Sequence, residues 1–142
     1  MLPSLYYEDF QIGAKYTTPG RTLTEGAIDI MISLAGFVLP MMLDEEAAKK
    51  TVFGTRVVPG RLVLLYMDAL DEHIGIFNDT TIAEVATDKV NFVKAVKAGD
   101  TIRAEIEITA KRETSKPDRG IIVHRSRCFN QHGELVVECE AT

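Results

Sequence analysis

Leu62, Val63, Leu64, Leu65, Tyr66, Met67, Ala69 and Leu70 follow Pro59-Gly60 with one charge among them, Asp68. Pro-Gly starts a turn, and the run beyond it is apolar on every side of a helix. A helix of that kind, in a chain that folds in water, is enclosed on most sides. The wrapping has to come from elsewhere in the sequence. Four β-rich stretches follow at about 81–96, 100–112, 120–129 and 134–142, separated by Lys97-Ala98-Gly99-Asp100, the 113–119 loop and the turn Asn130-Gln131-His132-Gly133. The clearest is Thr101 to Thr109, where Ile102, Ala104, Ile106 and Ile108 alternate with Arg103, Glu105, Glu107 and Thr109, giving one dry face and one wet face. One enclosed helix and a run of hairpin-linked amphipathic strands specify an α+β domain, an antiparallel β-sheet curled around a central helix. Such a sheet keeps an open edge, so a dimer is expected.

Length fits this architecture. At 142 residues, 46% hydrophobic and 26% charged, the chain makes a single domain spanning 1–142 with a sizeable core. Ahead of the enclosed helix, Tyr6 to Leu23 holds short β-prone pieces with turns at Gly13 and Pro19-Gly20. Thr22 or Thr24 caps a first helix whose apolar stripe is Ala27, Ile28, Met31, Leu34 and Ala35, and Gly36 ends it. Asp44 caps a short helix over Glu45 to Lys50, with Glu45/Lys49 and Glu46/Lys50 as i,i+4 pairs.

Charge and inventory exclude several function classes. The net charge is −5 and neither half of the chain is basic, which disfavours nucleic acid as a partner. A local cluster, Lys111, Arg112, Lys116 and Arg119, is interrupted by Glu113 and Asp118 and reads as a solvated hairpin tip or as a contact for a small phosphorylated ligand. No apolar run approaches the ~20 residues that span a bilayer, so no membrane partner is expected and the reading is cytoplasmic. There is no Gly-x-Ser-x-Gly, P-loop, G-x-G-x-x-G, C-x-x-C or H-E-x-x-H. His73, His124 and His132 are scattered, so no metal and no cofactor is expected. Simple hairpin pairing sets Cys128 opposite Leu135 and Cys139 opposite His124, too far apart to bridge, so both are free structural thiols. The acids Asp71 and Glu72 beside His73 read as a solvated helix terminus.

Several stretches, in order and spacing, resemble the MaoC-like hydratases and dehydratases of the hot-dog fold, which act on acyl thioesters such as (R)-specific enoyl-CoA substrates. They are Tyr7-Glu8-Asp9-Phe10-Gln11-Ile12-Gly13, Leu23-Thr24-Glu25, Asp44 to Thr51, Phe53-Gly54-Thr55-Arg56-Val57-Val58-Pro59-Gly60, Val90-Asn91-Phe92, Lys97-Ala98-Gly99-Asp100-Thr101 and Asn130 to Glu134. The resemblance implies a G-D-x-N-P-x-H segment between the first two helices, whose Asp and His handle the water and the proton. Here that segment is Gly36-Phe37-Val38-Leu39-Pro40-Met41-Met42. Gly36 and Pro40 match, but Phe37, Leu39 and Met42 stand where Asp, Asn and His are implied. Hydration of an enoyl thioester needs a base for the water and an acid for the α-carbon, and neither Phe nor Met moves a proton. The usual hydratase mechanism is therefore expected to be absent.

The resemblance also assigns the Gly60 N–H, at the start of the enclosed helix, to the thioester carbonyl. The other reading of Gly60 is a tight turn into the helix. In the same way Asp68 is a relocated base or a handle for a polar acyl group lining the acyl pocket. Its other readings are pairing with Arg61 or a sheet residue, or a place near water at the helix end. Two functions follow. One is an acyl-thioester-binding protein (acyl-CoA or acyl-ACP), a non-catalytic subunit in a homodimer or in a heterodimer with a catalytic hot-dog subunit, with Gly60, Phe37, Leu39, Met42 and Asp68 lining the site. The other is an enoyl-thioester hydratase or dehydratase using Asp68 as its acid/base.

Overall fold

The computed structural model describes residues 1–142. A 3-10 turn, Tyr7–Asp9, precedes two short strands, β1 (Lys15–Thr17) and β2 (Arg21–Thr22). Helices α1 (Glu25–Ala35), α2 (Pro40–Leu43), α3 (Glu45–Ala48) and α4 (Gly60–Glu72) follow, then β3 (Thr87–Phe92), β4 (Thr101–Glu113), β5 (Gly120–Phe129) and β6 (Leu135–Ala141). The sheet is antiparallel, ordered β1-β4-β5-β6-β3, with β2 also pairing β4.

The central helix is α4. Leu62, Val63, Met67 and Leu70 are buried against the sheet and α1, in a core shared with Ile28, Ile32, Ile102, Ala104, Cys128 and Val137. Enclosure stops short of complete, because Leu65 is 51% exposed and Arg61 and Asp68 lie on the same open stripe. The alternation expected in β4 is present: Ile102, Ala104, Ile106 and Ile108 are fully buried. On the wet face, Arg127 approaches Glu105 and Glu107 at 3.6 and 3.8 Å, and Arg103 bonds Glu105 at 2.7 Å. A second, smaller core of Phe10, Ile74, Ile76, Ile106 and Ile108 lies at the far end of the sheet.

Local chemistry explains the helix ends. The Thr24 hydroxyl accepts from the Ala27 N–H at 3.4 Å, and Gly36 sits at φ 71, where its N–H and that of Phe37 close the last turn of α1. Asp44 caps α3, but that helix ends at Ala48 rather than Lys50. Glu45 turns away from Lys49 to accept bonds from the Thr55 hydroxyl and the Arg56 N–H, and Lys49 pairs with Glu46 instead. The expected strand at 81–96 shrinks to β3, whose pairing with β6 is broken by a bulge between Asp88 and Asn91.

The cysteine register also differs from simple hairpin pairing. The turn closes on Asn130 and Glu134, and a bulge between Cys128 and Phe129 shifts the ladder again, so Cys128 faces Val137 and Cys139 faces Ser126. Both thiols are free and buried.

Lys111 does not belong to a hairpin-tip patch. Its ammonium donates to the carbonyls of Tyr7, Glu8 and Phe10 at 3.1, 3.3 and 3.0 Å, tying the 3-10 turn to β4. At the tip, Arg119 binds Asp118 through two nitrogens. The Tyr7 ring lies flat against Gly120, where an added Cβ would come within 2.1 Å of ring carbon Cδ2. Gly120→Ala is therefore expected to lift Tyr7 off the hairpin at a cost of roughly 1–3 kcal/mol. Amide exchange should quicken at Leu2 and Leu5, whose N–H groups bond Ile74 and Ile76, and stay unchanged in β6. Unchanged exchange at Leu2 and Leu5 would count against this packing.

Candidate functional site

Two recesses concern the site, one beside Val57 and Val58 in the segment that leads into α4 and one at the C-terminal end of α4. At its N-terminal end, Pro59 supplies the helix with a fixed entry and its carbonyl accepts from Leu62 and Val63 at 2.8 and 3.1 Å. No acceptor meets the Gly60 N–H. A Cβ at Gly60 would lie 2.8 Å from the Phe92 ring, so the ring's close approach requires glycine. Phe37 and Met42 are half-buried against the main core, and Leu39 is a 52% exposed residue that opens α2 just ahead of Pro40. Phe37 serves as the apolar residue that follows a left-handed helix stop, a packing role.

Met42 also borders a cleft of about 140 Å³ with Ile28, Val57 and Val58. Its three acids gather around one guanidinium. The Arg56 guanidinium donates to Asp29 at 2.9 Å and to Glu25, and stands 4.0 Å from Glu45. The Arg56 N–H and the Thr55 hydroxyl hold the Glu45 carboxyl below its ordinary range, so it is a poor base. This recess holds a few waters at most and offers no free proton-transfer group.

At the other end of α4 lies a cavity of about 1200 Å³, lined by Asp68, Asp71, Phe77, Glu84, His124 and Ser126 among others. Asp71 corrects the reading of a solvated helix terminus: it is 7% exposed. The Ser126 hydroxyl donates to Asp71 Oδ2 at 2.6 Å, and Oδ1 has no partner. Burial pushes this carboxyl up to about 7, with Ser126 pulling it down and Asp68 pushing it further up. The signal was present in the sequence, since Asp71 stands one turn after Met67 on the buried stripe and Ser126 shares the inward face of β5 with Cys128.

Asp68 sits on the cavity wall in touch with solvent, and neither Arg61 nor a sheet residue pairs with it. Partial burial, then Glu84 and Glu72, raise it to about 6. His124, its ring 5.0 Å from that of Phe77 and tilted 30° to it, is lowered by burial, which disfavours its charged form. Carboxyls that titrate near neutrality can both give and take protons there. No three His, Cys, Asp or Glu side chains converge as metal ligands, and no helix is long and apolar enough to cross a membrane.

The structure sets Met42 in a cleft with Val57 and Val58, packs Phe37 against the main core, leaves Leu39 exposed, and places Asp68 on the cavity at the C-terminal end of α4. Asp68 stands eight positions after Gly60, about 12 Å along the axis.

The sequence profile described as MaoC like domain matches residues 9–125. The chain belongs to the MaoC-like dehydratase family. This MaoC-like domain is 35% identical over 114 residues to the protein MaoC of Klebsiella aerogenes, covering 80% of the chain and 33% of that protein, so it spans about a third of that relative's length. It is 27% identical over 137 residues to the (R)-specific enoyl-CoA hydratase of Rhodospirillum rubrum, covering 96% and 89% of the two chains. Among solved structures, the monoamine oxidase regulatory protein of Archaeoglobus fulgidus superposes with a TM-score of 0.90 at 32% identity, covering 99% of this chain and 93% of that one. The antiparallel sheet wrapped on α4 is the hot-dog fold that the family resemblance implied.

Proposed function

We propose that this MaoC-like domain binds an acyl thioester, on CoA or acyl carrier protein, without hydrating it at the usual position between the first two helices. The observation that carries this reading is the replacement of the whole proton-transfer set by Phe37, Leu39 and Met42, beside a cleft whose carboxylates are all engaged with Arg56. Gly60 keeps a role in it: its unpaired N–H at the head of α4 is a donor for the thioester carbonyl. The protein then works as a binding protein or as a non-catalytic subunit, in a homodimer or in a heterodimer with a catalytic hot-dog subunit. A relative of nearly the same length being named an enoyl-CoA hydratase supports the thioester class.

Calorimetry with butyryl-CoA, hexanoyl-CoA and the matching acyl carrier protein esters tests this, alongside a spectrophotometric assay with crotonyl-CoA. Binding with a hydration rate no different from buffer is expected. Failure of every thioester to bind, with and without a co-purifying hot-dog partner, would overturn it.

A second reading has its own observation. Asp68 and Asp71 line one cavity and are raised to about 6 and 7, which suits an acid/base pair for a hydratase or dehydratase. Turnover of an enoyl-CoA that disappears in Asp68→Asn would favour this reading over the first.

A further inference from the structure

The cavity at the C-terminal end of α4 is unusual in what it leaves unpaired. Asp71 Oδ1 is buried, has no donor, and belongs to a side chain lining the cavity. A buried acceptor with no partner carries a penalty that a ligand donor would remove. Asp68, Glu72 and Glu84 line the same space.

No cation of the chain answers these acids. Lys116 and Arg119 border the cavity from the hairpin tip, where Arg119 is engaged with Asp118 and Glu113 adds another acid; burial disfavours the charged form of His124, and His73 and the exposed Met1 amino group, the other basic groups on the lining, form no ion pair with these acids. The acids therefore act on one another, Glu84 and Glu72 on Asp68 and Asp68 on Asp71. Around them, Phe77, Ile82, Val85 and Ile122 supply apolar wall for a hydrocarbon chain.

We infer that this cavity receives an apolar chain ending in a primary ammonium group, which Asp71 and Asp68 bind. An anion would add to the like charge already present. A hydroxyl satisfies Oδ1 but leaves the repulsion among the carboxylates in place, and no cluster has metal-ligand geometry. An ammonium supplies three donors and a compensating charge together. Resting on the thioester reading, the same inference narrows the substrate class to acyl thioesters with a terminal amine, with Asp71 and Asp68 setting the specificity.

Binding is measured calorimetrically for 12-aminododecanoyl-CoA against dodecanoyl-CoA and 12-hydroxydodecanoyl-CoA, whose chains are long enough to span the roughly 12 Å between Gly60 and Asp68, and for hexylamine alone. The amino ester is expected to bind at least about tenfold more tightly than the alkyl ester, the order of effect of one charge-assisted hydrogen bond. Because a cation beside a carboxyl favours its ionised form, binding near pH 6.5 should also release protons, read from buffers of different ionisation enthalpy. Asp71→Asn and Asp68→Asn should each erase most of the preference for the amino ester over the alkyl ester. Asp68, on the open stripe of α4, serves if Asp71→Asn does not fold. An alkyl or hydroxyl ester that binds as tightly as the amino ester overturns the inference, as does a preference untouched by both variants. Hexylamine binding without any CoA ester sinks only the thioester reading, whereas esters that bind with no amine preference sink only this inference.

Discussion

Met67→Ala is expected to destabilise the fold by roughly 2–5 kcal/mol, the range for truncating a fully buried large side chain. Met67 has no exposed surface and lies midway along α4, where the helix meets β4, β5 and β6. Its neighbours in the core include Ala104 and Cys128, already small, so little side-chain volume stands ready to collapse into the hole. A loss of that size lowers the thermal midpoint of a chain this long by roughly 5–15 °C. Leu65→Ala on the open stripe of the same helix should cost far less, because Leu65 keeps half its surface in water. Chemical denaturation of the two variants checks the contrast, and equal losses would mean that α4 is not the centre of the core.

Asp71→Asn is expected to make the protein more stable at pH 8 and to flatten its dependence on pH. The folded carboxyl is raised from 3.8 to about 7. Below the unfolded value both states carry the proton and the group is without cost; between about pH 4 and pH 7 the folded state alone holds it, so stability falls as pH rises through that window. Above the folded value the full penalty applies. Relative to its effect at pH 4, the substitution should therefore gain roughly 2–4 kcal/mol at pH 8. The asparagine oxygen can still accept from Ser126, which keeps the local geometry. Stability curves for variant and wild type that run parallel from pH 4 to pH 8 would show that Asp71 ionises without cost in the folded chain.

Much of the fold was legible because two periodicities were clean. The apolar run after Pro59-Gly60 could only be a wrapped helix, and the strict alternation from Thr101 to Thr109 could only be a half-buried strand. What was not legible depended on bulges and on competing side-chain bonds. The slip after Cys128 moves both cysteines to new partners, and the attraction of Glu45 for Thr55 and Arg56 takes it out of its helical pair. At the site, the apolar identities of Phe37, Leu39 and Met42 were plain in the sequence. The role of Asp71 was hidden by its neighbours: followed by Glu72 and His73, it looked solvated, and its burial is set by β5 packing from more than fifty residues away.

Lys111 imposes an order of events on folding. The carbonyls that it holds, from Tyr7 to Phe10, are synthesised about a hundred residues before it. During synthesis the opening segment can first meet Ile74 and Ile76, whose carbonyls take the Leu2 and Leu5 N–H groups, while its tie to β4 waits until Lys111 has emerged. The second core, which Phe10 completes, thus cannot close before β4 is in place, and the apolar faces of Ile106 and Ile108 stay bare for as long as that closure is delayed.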